Sequence, residues 1–259
     1  MPNLPCELLD HIIDLLHDNQ ITLRNCCLVS KPWVARTRTH LFAEVVFQTA
    51  KSLESWKTTF PDPSTSPGHR TKVLLIGGPT VVKTVEVEEG SWIKGFSHVV
   101  HLAIVGQDHF VPGWEPTFVQ FRGFSPFIKS LRVNCTSIPL MKFSDLVLSF
   151  PLLEDLSVTN CYYSSVNGHH DKLPTALQPS SLPVFTGSLE LHLMGGTEQI
   201  VRGWVYRPGG IHFRKLTLMS FCENVSLMMS LVEKCSHTLE SLNIACSGMS
   251  IGHLRPQWK

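Results

Sequence analysis

The sequence lacks the features that identify a nucleic-acid-binding or membrane protein. Its 259 residues include 22 Lys and Arg against 21 Asp and Glu, a formal net charge of +1. No basic run stands out, although a surface that binds phosphates or an anionic membrane needs an excess of positive charge. The longest apolar stretch, Val73 to Val82, is interrupted by Gly77, Gly78 and Pro79, whereas a membrane-spanning helix needs about 20 apolar residues. We therefore expect neither nucleic acid nor a membrane as a partner.

Motifs of catalytic and metal-binding sites are also missing. The patterns G-x-G-x-x-G, G-x-x-x-x-G-K-[ST] and G-x-S-x-G do not occur. The eight cysteines include no C-x-x-C pair and none of the spacings typical of zinc ligands. The N-terminus has no basic segment followed by an apolar stretch, so we expect no secretory signal. Without such a signal, we expect the cysteine thiols to be reduced. We expect no catalytic residue, no metal and no cofactor. We also expect the protein to be intracellular, in the cytoplasm, the nucleus or both.

The chain does have enough apolar material for a folded core. Hydrophobic residues make up 43% of it and charged residues 17%, a composition that excludes disorder over most of the length. A chain of this size holds either one large domain or a small module joined to a larger one. The patterning changes from helical spacing to short strands between residues 45 and 72, which favours the second arrangement.

The first 45 residues predict three short amphipathic helices. Apolar residues recur at helical spacing in the first of them, namely Leu8, Leu9, Ile12, Ile13 and Leu16. Thr22 is a candidate N-cap for the second helix, and Ser30 is a candidate N-cap for the third. Three helices of this size bury too little surface to be very stable alone, so we expect the head to depend on a partner or on the rest of the chain.

These helices resemble a known family. The chain reads Leu4-Pro5-x-Glu7-Leu8-Leu9, then Ile12-Ile13 and Leu16, then Leu23-x-x-Cys26-x-Leu28-Val29-Ser30-Lys31-x-Trp33. This order and spacing resemble the F-box in the form common among fungal F-box proteins. F-box helices dock on a Skp-type adaptor, which links to a cullin scaffold. The resemblance implies that the adaptor contacts are Leu4, Pro5, Glu7, Leu8, Ile12, Leu28, Val29 and Ser30, with Trp33 mainly in the module's own core.

From about residue 72 the chain repeats short strand-like segments. Leucines at equivalent positions recur every 25 to 33 residues, namely Leu74, Leu102, Leu131, Leu156, Leu189, Leu216 and Leu242. Apolar residues at helical spacing lie between several of these segments, as at Leu227, Met228, Leu231 and Val232. The period and the L-x-x-L-x-L core resemble leucine-rich repeats, in which no unit buries its apolar side alone and neighbours therefore stack.

We therefore predict an α/β protein in three parts. Residues 1–46 form a small three-helix F-box domain, residues 47–71 connect, and residues 72–259 form a leucine-rich-repeat-like α/β solenoid with a parallel concave sheet. The chain ends at residues 256–259, soon after the last predicted strand and without an obvious capping unit. We expect the repeats either to have an unusual cap or to be incomplete at this end.

Side chains between the buried leucines are expected to face the open side of the sheet. The candidates for binding a target protein are Arg132, Asp155, Ser157, Glu190, His192, Lys215 and Asn243. Ser130, Thr217 and Ser241 share this pattern. The resemblance implies a substrate-recognition subunit of a Skp–cullin–F-box ubiquitin ligase, in which this chain contributes proximity and a partner enzyme contributes catalysis. Two alternatives stay open: an interaction scaffold that acts outside a ligase, and an enzyme such as a Cys-dependent hydrolase.

Overall fold

The protein has an α/β fold built around an eight-stranded parallel sheet. The computed structural model describes residues 5–77, 92–106, 121, 123–124, 126–134, 143, 146–147, 149–159, 185–193, 201, 211–221 and 225–247. Five α-helices have their bounds within these ranges. None of the helices described there is long and apolar enough to cross a bilayer. The predicted α/β class and the predicted parallel sheet are confirmed.

Three α-helices precede the sheet. Helix α1 spans Cys6–Leu15, α2 spans Gln20–Val29 and α3 spans Lys31–Leu41. Helix α3 contacts both α1 and α2. Ile13, Leu23 and Cys26 are buried but do not belong to the core cluster of the sheet. The three helices therefore have a small apolar interior of their own, and we call residues 5–41 the head.

Asn19 and Ser30 mark the starts of the second and third helices. The side-chain oxygen of Asn19 accepts a hydrogen bond from the backbone N–H of Thr22 at 3.0 Å. The prediction that Thr22 caps α2 is therefore wrong, because the side chain three residues earlier reaches the free N–H groups of the first turn. Ser30 is the N-cap residue of α3, as predicted, but its side chain makes no capping hydrogen bond.

The eight strands are adjacent in chain order and all neighbours run parallel. Their bounds are β1 Glu44–Phe47, β2 Val73–Gly77, β3 His101–Val105, β4 Ser130–Asn134, β5 Asp155–Thr159, β6 Ser188–Leu193, β7 Lys215–Phe221 and β8 Ser241–Ser247. Parallel neighbours need a crossover between them. Helix α4, Ala50–Thr59, and a 3₁₀ turn at Pro67–Arg70 connect β1 to β2, and helix α5, Val225–Cys235, connects β7 to β8.

The strand register places the repeated leucines in one row across the sheet. Each pairs with the next along the chain: Leu74, Leu102, Leu131, Leu156, Leu189, Leu216 and Leu242. The equivalence predicted from the sequence is therefore confirmed. A second row lies two residues further along each strand: Ile76, Ile104, Val133, Val158, Leu191, Leu218 and Ile244. From β2 to β7 the members of both rows are at most 1% exposed, so one face of the sheet forms the main core.

The sheet begins at Glu44, earlier than the repeats predicted to start at residue 72. Val45 pairs with Leu74 and continues the leucine row into β1. The carbonyl oxygen of Ala43 accepts hydrogen bonds from the backbone N–H groups of Lys72 and Val73 at 2.8 and 3.0 Å. Leu53 of α4 is fully buried in the same core. The segment interpreted as a connection, residues 47–71, thus packs against the first strand.

Candidate functional site

The head exposes four large apolar side chains that the F-box resemblance assigns to adaptor binding. Leu8 is 51% exposed, Ile12 44%, Leu28 86% and Val29 68%. We call these four residues the apolar head surface. Large apolar side chains that are exposed in this way are candidates for contact with a partner.

The other predicted adaptor contacts have mixed positions. Pro5 and Glu7 are exposed at the start of α1, whereas Ser30 is half-buried between α2 and α3. Leu4 lies outside the described residues. Trp33, which the resemblance places mainly in the interior of the head, is half-buried.

Two exposed apolar residues of the head were not predicted as contacts. Leu15 of α1 and Ile21 of α2 are each at least 70% exposed. Leu15 follows Leu8 and Ile12 at helical spacing, so the three side chains lie along one side of α1, and Ile13 points inward. Continuing the spacing from Leu8 by one further turn would have identified Leu15 from the sequence.

An ion-pair cluster fixes the orientation of α1 on α3. The carboxylate of Asp14 accepts hydrogen bonds from Arg36 Nε at 2.6 Å and Arg36 Nη2 at 2.5 Å, a two-pronged contact. His40 Nε2 lies 2.7 Å from Asp14 Oδ1. The hydrogen bonds from Arg36, followed by the contact with His40, hold the pKa of Asp14 well below its usual range, and the same pairing raises the pKa of Arg36. Held in this way, α1 turns Leu8 and Ile12 away from the interior.

The open face of the sheet carries all seven predicted target-binding residues. Arg132, Lys215 and Asn243 are exposed. The other four, Asp155, Ser157, Glu190 and His192, are half-buried. The alternation of the strands places them opposite the two apolar rows.

Hydrogen bonds between neighbouring strands hold the acidic side chains of this face. Asp155 Oδ1 accepts from the backbone N–H of Ser188 at 2.7 Å and from its hydroxyl at 2.6 Å. Ser157 donates to Glu190 Oε2 at 2.6 Å. A Cβ atom on Gly187 would lie 2.6 Å from Asp155 Oδ1, so the close approach of the carboxylate to β6 requires glycine there.

A pocket of about 320 Å³ lies on the same face across β2 to β6. It is lined by four of the predicted residues, Arg132, Asp155, Ser157 and Glu190, and it also includes His101, which was not predicted. Lys215 and Asn243 lie on β7 and β8, beyond the pocket. The guanidinium of Arg132 makes no ion pair with the described part of the chain, whereas both acidic groups are already hydrogen-bonded. The pocket therefore combines the guanidinium of Arg132 on β4 with hydrogen-bonded carboxylates on the next two strands, Asp155 on β5 and Glu190 on β6.

Comparison with known proteins adds no relative. No protein-family model, no curated protein and no solved structure matches this chain. Any function proposed for this chain therefore rests on the arrangement of its own side chains.

The described residues contain no group of three or more His, Cys, Asp and Glu placed to hold a metal ion. Cys26 and Cys235 are buried. Burial raises the pKa of the Cys235 thiol, which disfavours the thiolate that a nucleophilic cysteine needs.

Proposed function

We propose that this chain is a substrate receptor of a Skp–cullin–F-box ubiquitin ligase. In this proposal the head is an F-box, and the parallel sheet with its connections is a leucine-rich-repeat-like solenoid. The observation that carries the proposal is the apolar head surface, because all four of its residues hold positions that the resemblance assigns to the adaptor interface. The register of the leucine row supports the repeat assignment.

The proposed interface has a clear driving force. Burying a fully exposed Leu, Ile or Val side chain contributes roughly 1.5–3 kcal/mol, and a few such anchors carry most of the energy in a typical interface. The interior of the head is small, consisting mainly of Ile13, Leu23 and Cys26. A partner that covers Leu8, Ile12, Leu28 and Val29 would therefore also stabilise the head.

The open face of the sheet would hold the target protein. Its pocket combines Arg132 with the hydrogen-bonded carboxylates of Asp155 and Glu190, which suits a polar, mixed-charge segment of a polypeptide. Holding a target there would raise the effective concentration of its lysines near the activated ubiquitin on the ligase. Catalysis would remain with the partner enzyme.

Co-purification with a Skp-type adaptor tests the proposal. The full chain should retain the adaptor, and the double variant Leu8→Ala with Leu28→Ala should lose it. Met229→Ala is a matched control, because Met229 is 55% exposed on α5, far along the chain from the head. If a folded Leu8→Ala, Leu28→Ala protein still retained the adaptor, the proposal would be wrong.

Adding the cullin to the same experiment separates a ligase subunit from a scaffold. A receptor in a ligase should bring down adaptor and cullin together. Adaptor without cullin would favour the scaffold that the sequence left open. The head variants should remove both proteins in the first case.

A further inference from the structure

A second, smaller pocket lies where helix α3 of the head meets the segment that connects β1 to β2. Its volume is about 190 Å³. The lining residues that matter for its chemistry are Arg38, Phe42, Phe60, Pro67, His69 and Arg70, and we call it the junction pocket. It shares no residue with the apolar head surface or with the pocket on the open face of the sheet.

The size of the junction pocket limits what it can hold. Sites for nucleotides and other ligands of that size usually have volumes of about 300–1,000 Å³, whereas a cavity of about 150 Å³ accommodates a benzene ring. A ligand here is therefore the size of a single side chain.

Two aromatic rings form a rigid apolar wall. The rings of Phe42 and Phe60 lie 6.4 Å apart and perpendicular to each other, and Trp56 lies 4.7 Å from Phe60 and 6.0 Å from Phe42. Two of these contacts are edge-to-face and the third, between Trp56 and Phe60, is tilted. Aromatic contacts of this kind stabilise the packing of the rings. A flat apolar group that enters the pocket would meet a surface that is already ordered.

The pocket also has a cationic part, which hydrogen bonds hold in place. His69 Nδ1 donates to the carbonyl oxygen of Ser66 at 2.6 Å, which leaves Nε2 to accept from Arg70 Nε at 3.4 Å. Arg70 Nη1 donates to the carbonyl oxygen of Ala35 at 2.9 Å. These contacts hold the Arg70 guanidinium in place while its Nη2 group makes no hydrogen bond with the described part of the chain.

The pocket has no negative charge to balance these groups. None of its lining residues is acidic, and the exposed guanidinium of Arg38 has no ion-pair partner among the residues that the structure describes. Planar guanidinium groups bind phosphate and carboxylate through paired hydrogen bonds. We propose that the junction pocket binds one phosphate or carboxylate group attached to a flat apolar ring. This site is independent of the proposed ligase function.

An NMR titration of the full ¹⁵N-labelled chain tests this assignment. Phenyl phosphate and benzoate distinguish the two anions, inorganic phosphate lacks the ring, and phenol lacks the charge. We expect dissociation constants on the order of 1 mM for the better of the two aryl anions, because so few atoms make contact. Inorganic phosphate and phenol should each bind at least about fivefold more weakly, because each lacks one of the two groups, the ring or the anion, that would contact the pocket. The shifted amide signals should cluster at Phe42, Phe60, His69 and Arg70.

Arg38→Gln should weaken binding of the aryl anion about fivefold, because it removes one charge-assisted contact. Arg24→Gln, an exposed arginine of α2 outside the pocket, removes the same charge and should leave binding unchanged. Equal effects of the two variants would overturn the proposal, because only the net charge would then matter. Wild-type signals that shift elsewhere, or inorganic phosphate that binds as tightly as phenyl phosphate, would overturn it as well, whatever the variants do.

Discussion

The head and the sheet place their apolar side chains in opposite ways. In strands β2 to β7 the two apolar rows are at most 1% exposed. In the head, Ile13, Leu23 and Cys26 are buried, while Leu8, Ile12, Leu15, Ile21, Leu28 and Val29 are exposed. Both regions read as amphipathic in the sequence, yet only strands β2 to β7 enclose two complete apolar rows in the chain's own interior.

This difference shows that an apolar pattern in the sequence does not reveal whether the chain itself or a partner covers those side chains. Each strand of the sheet has a neighbour with the same pattern, so the rows meet across the register and exclude water. The helices of the head are too few to enclose all their apolar positions. We expect a partner to cover the apolar side chains that the head leaves exposed.

Substitution in the leucine row should cost the most stability. Leu131→Ala in β4 removes a fully buried side chain, and we expect the free energy of unfolding to fall by about 2–5 kcal/mol through lost burial and the cavity left behind. Urea denaturation followed by circular dichroism measures this change. A loss below about 1 kcal/mol would mean that the row is not the core of the sheet.

The last strand should be less sensitive. Leu242 belongs to the same row but is 43% exposed, since no strand follows β8 within the described residues. We expect Leu242→Ala to cost about 1–2 kcal/mol, against the larger loss for Leu216→Ala, its buried register partner in β7. Equal losses in the same denaturation assay would contradict the exposed position of Leu242.

The ion-pair cluster of the head should give a pH-dependent effect. The pKa of Asp14 is lowered by Arg36 and His40, so its stabilising contribution is fully present above the ordinary carboxyl pKa near 3.8 and is lost as the pH falls towards the lowered value. Asp14→Asn should therefore destabilise the head at pH 7, and its difference from wild type should shrink below pH 4.

Unfolding curves of both proteins from pH 7 to pH 2 measure this difference. Asp18→Asn is the control, because the Asp18 side chain is 90% exposed and its ion pair, with the neighbouring His17 at 3.1 Å, does not involve α3. A gap between wild type and Asp14→Asn that stays constant over this range would show that the charge of Asp14 contributes nothing.

The smallest effect on stability is expected at Leu28. Leu28→Ala makes the same chemical change as Leu131→Ala, but the side chain is 86% exposed, so we expect less than about 0.5 kcal/mol. The variant should instead weaken adaptor binding in the co-purification assay. A stability loss comparable to that of Leu131→Ala would mean that Leu28 packs within the chain.

The sheet could be predicted in more detail than the head. The leucine row repeats along the chain, and parallel strands in chain order turn that repetition directly into register. Residues 45–47 have strand character in the sequence, as β1 confirms, but the repeats were expected only from residue 72. Strand β1 is four residues long, and Val45 stands in the row where the later strands have leucine. The contact between Ser157 and Glu190 follows from the register once the leucines are aligned.

The head could be predicted only in outline. Its three helices follow from local spacing, but the Asp14 cluster joins residues 22 and 26 positions apart, and nothing local pairs Asp14 with Arg36 and His40. The cap of α2 was misassigned because Asn19 and Thr22 are both good capping residues. The junction pocket was missed for a related reason, since α3, α4 and the 3₁₀ turn meet only in the folded chain.

The order of the strands has a consequence for how the protein is made. Each strand pairs with the one synthesised just before it, so every new strand that leaves the ribosome finds its partner already in place. Folding can then proceed from the N-terminal end in step with translation, without waiting for a distant segment.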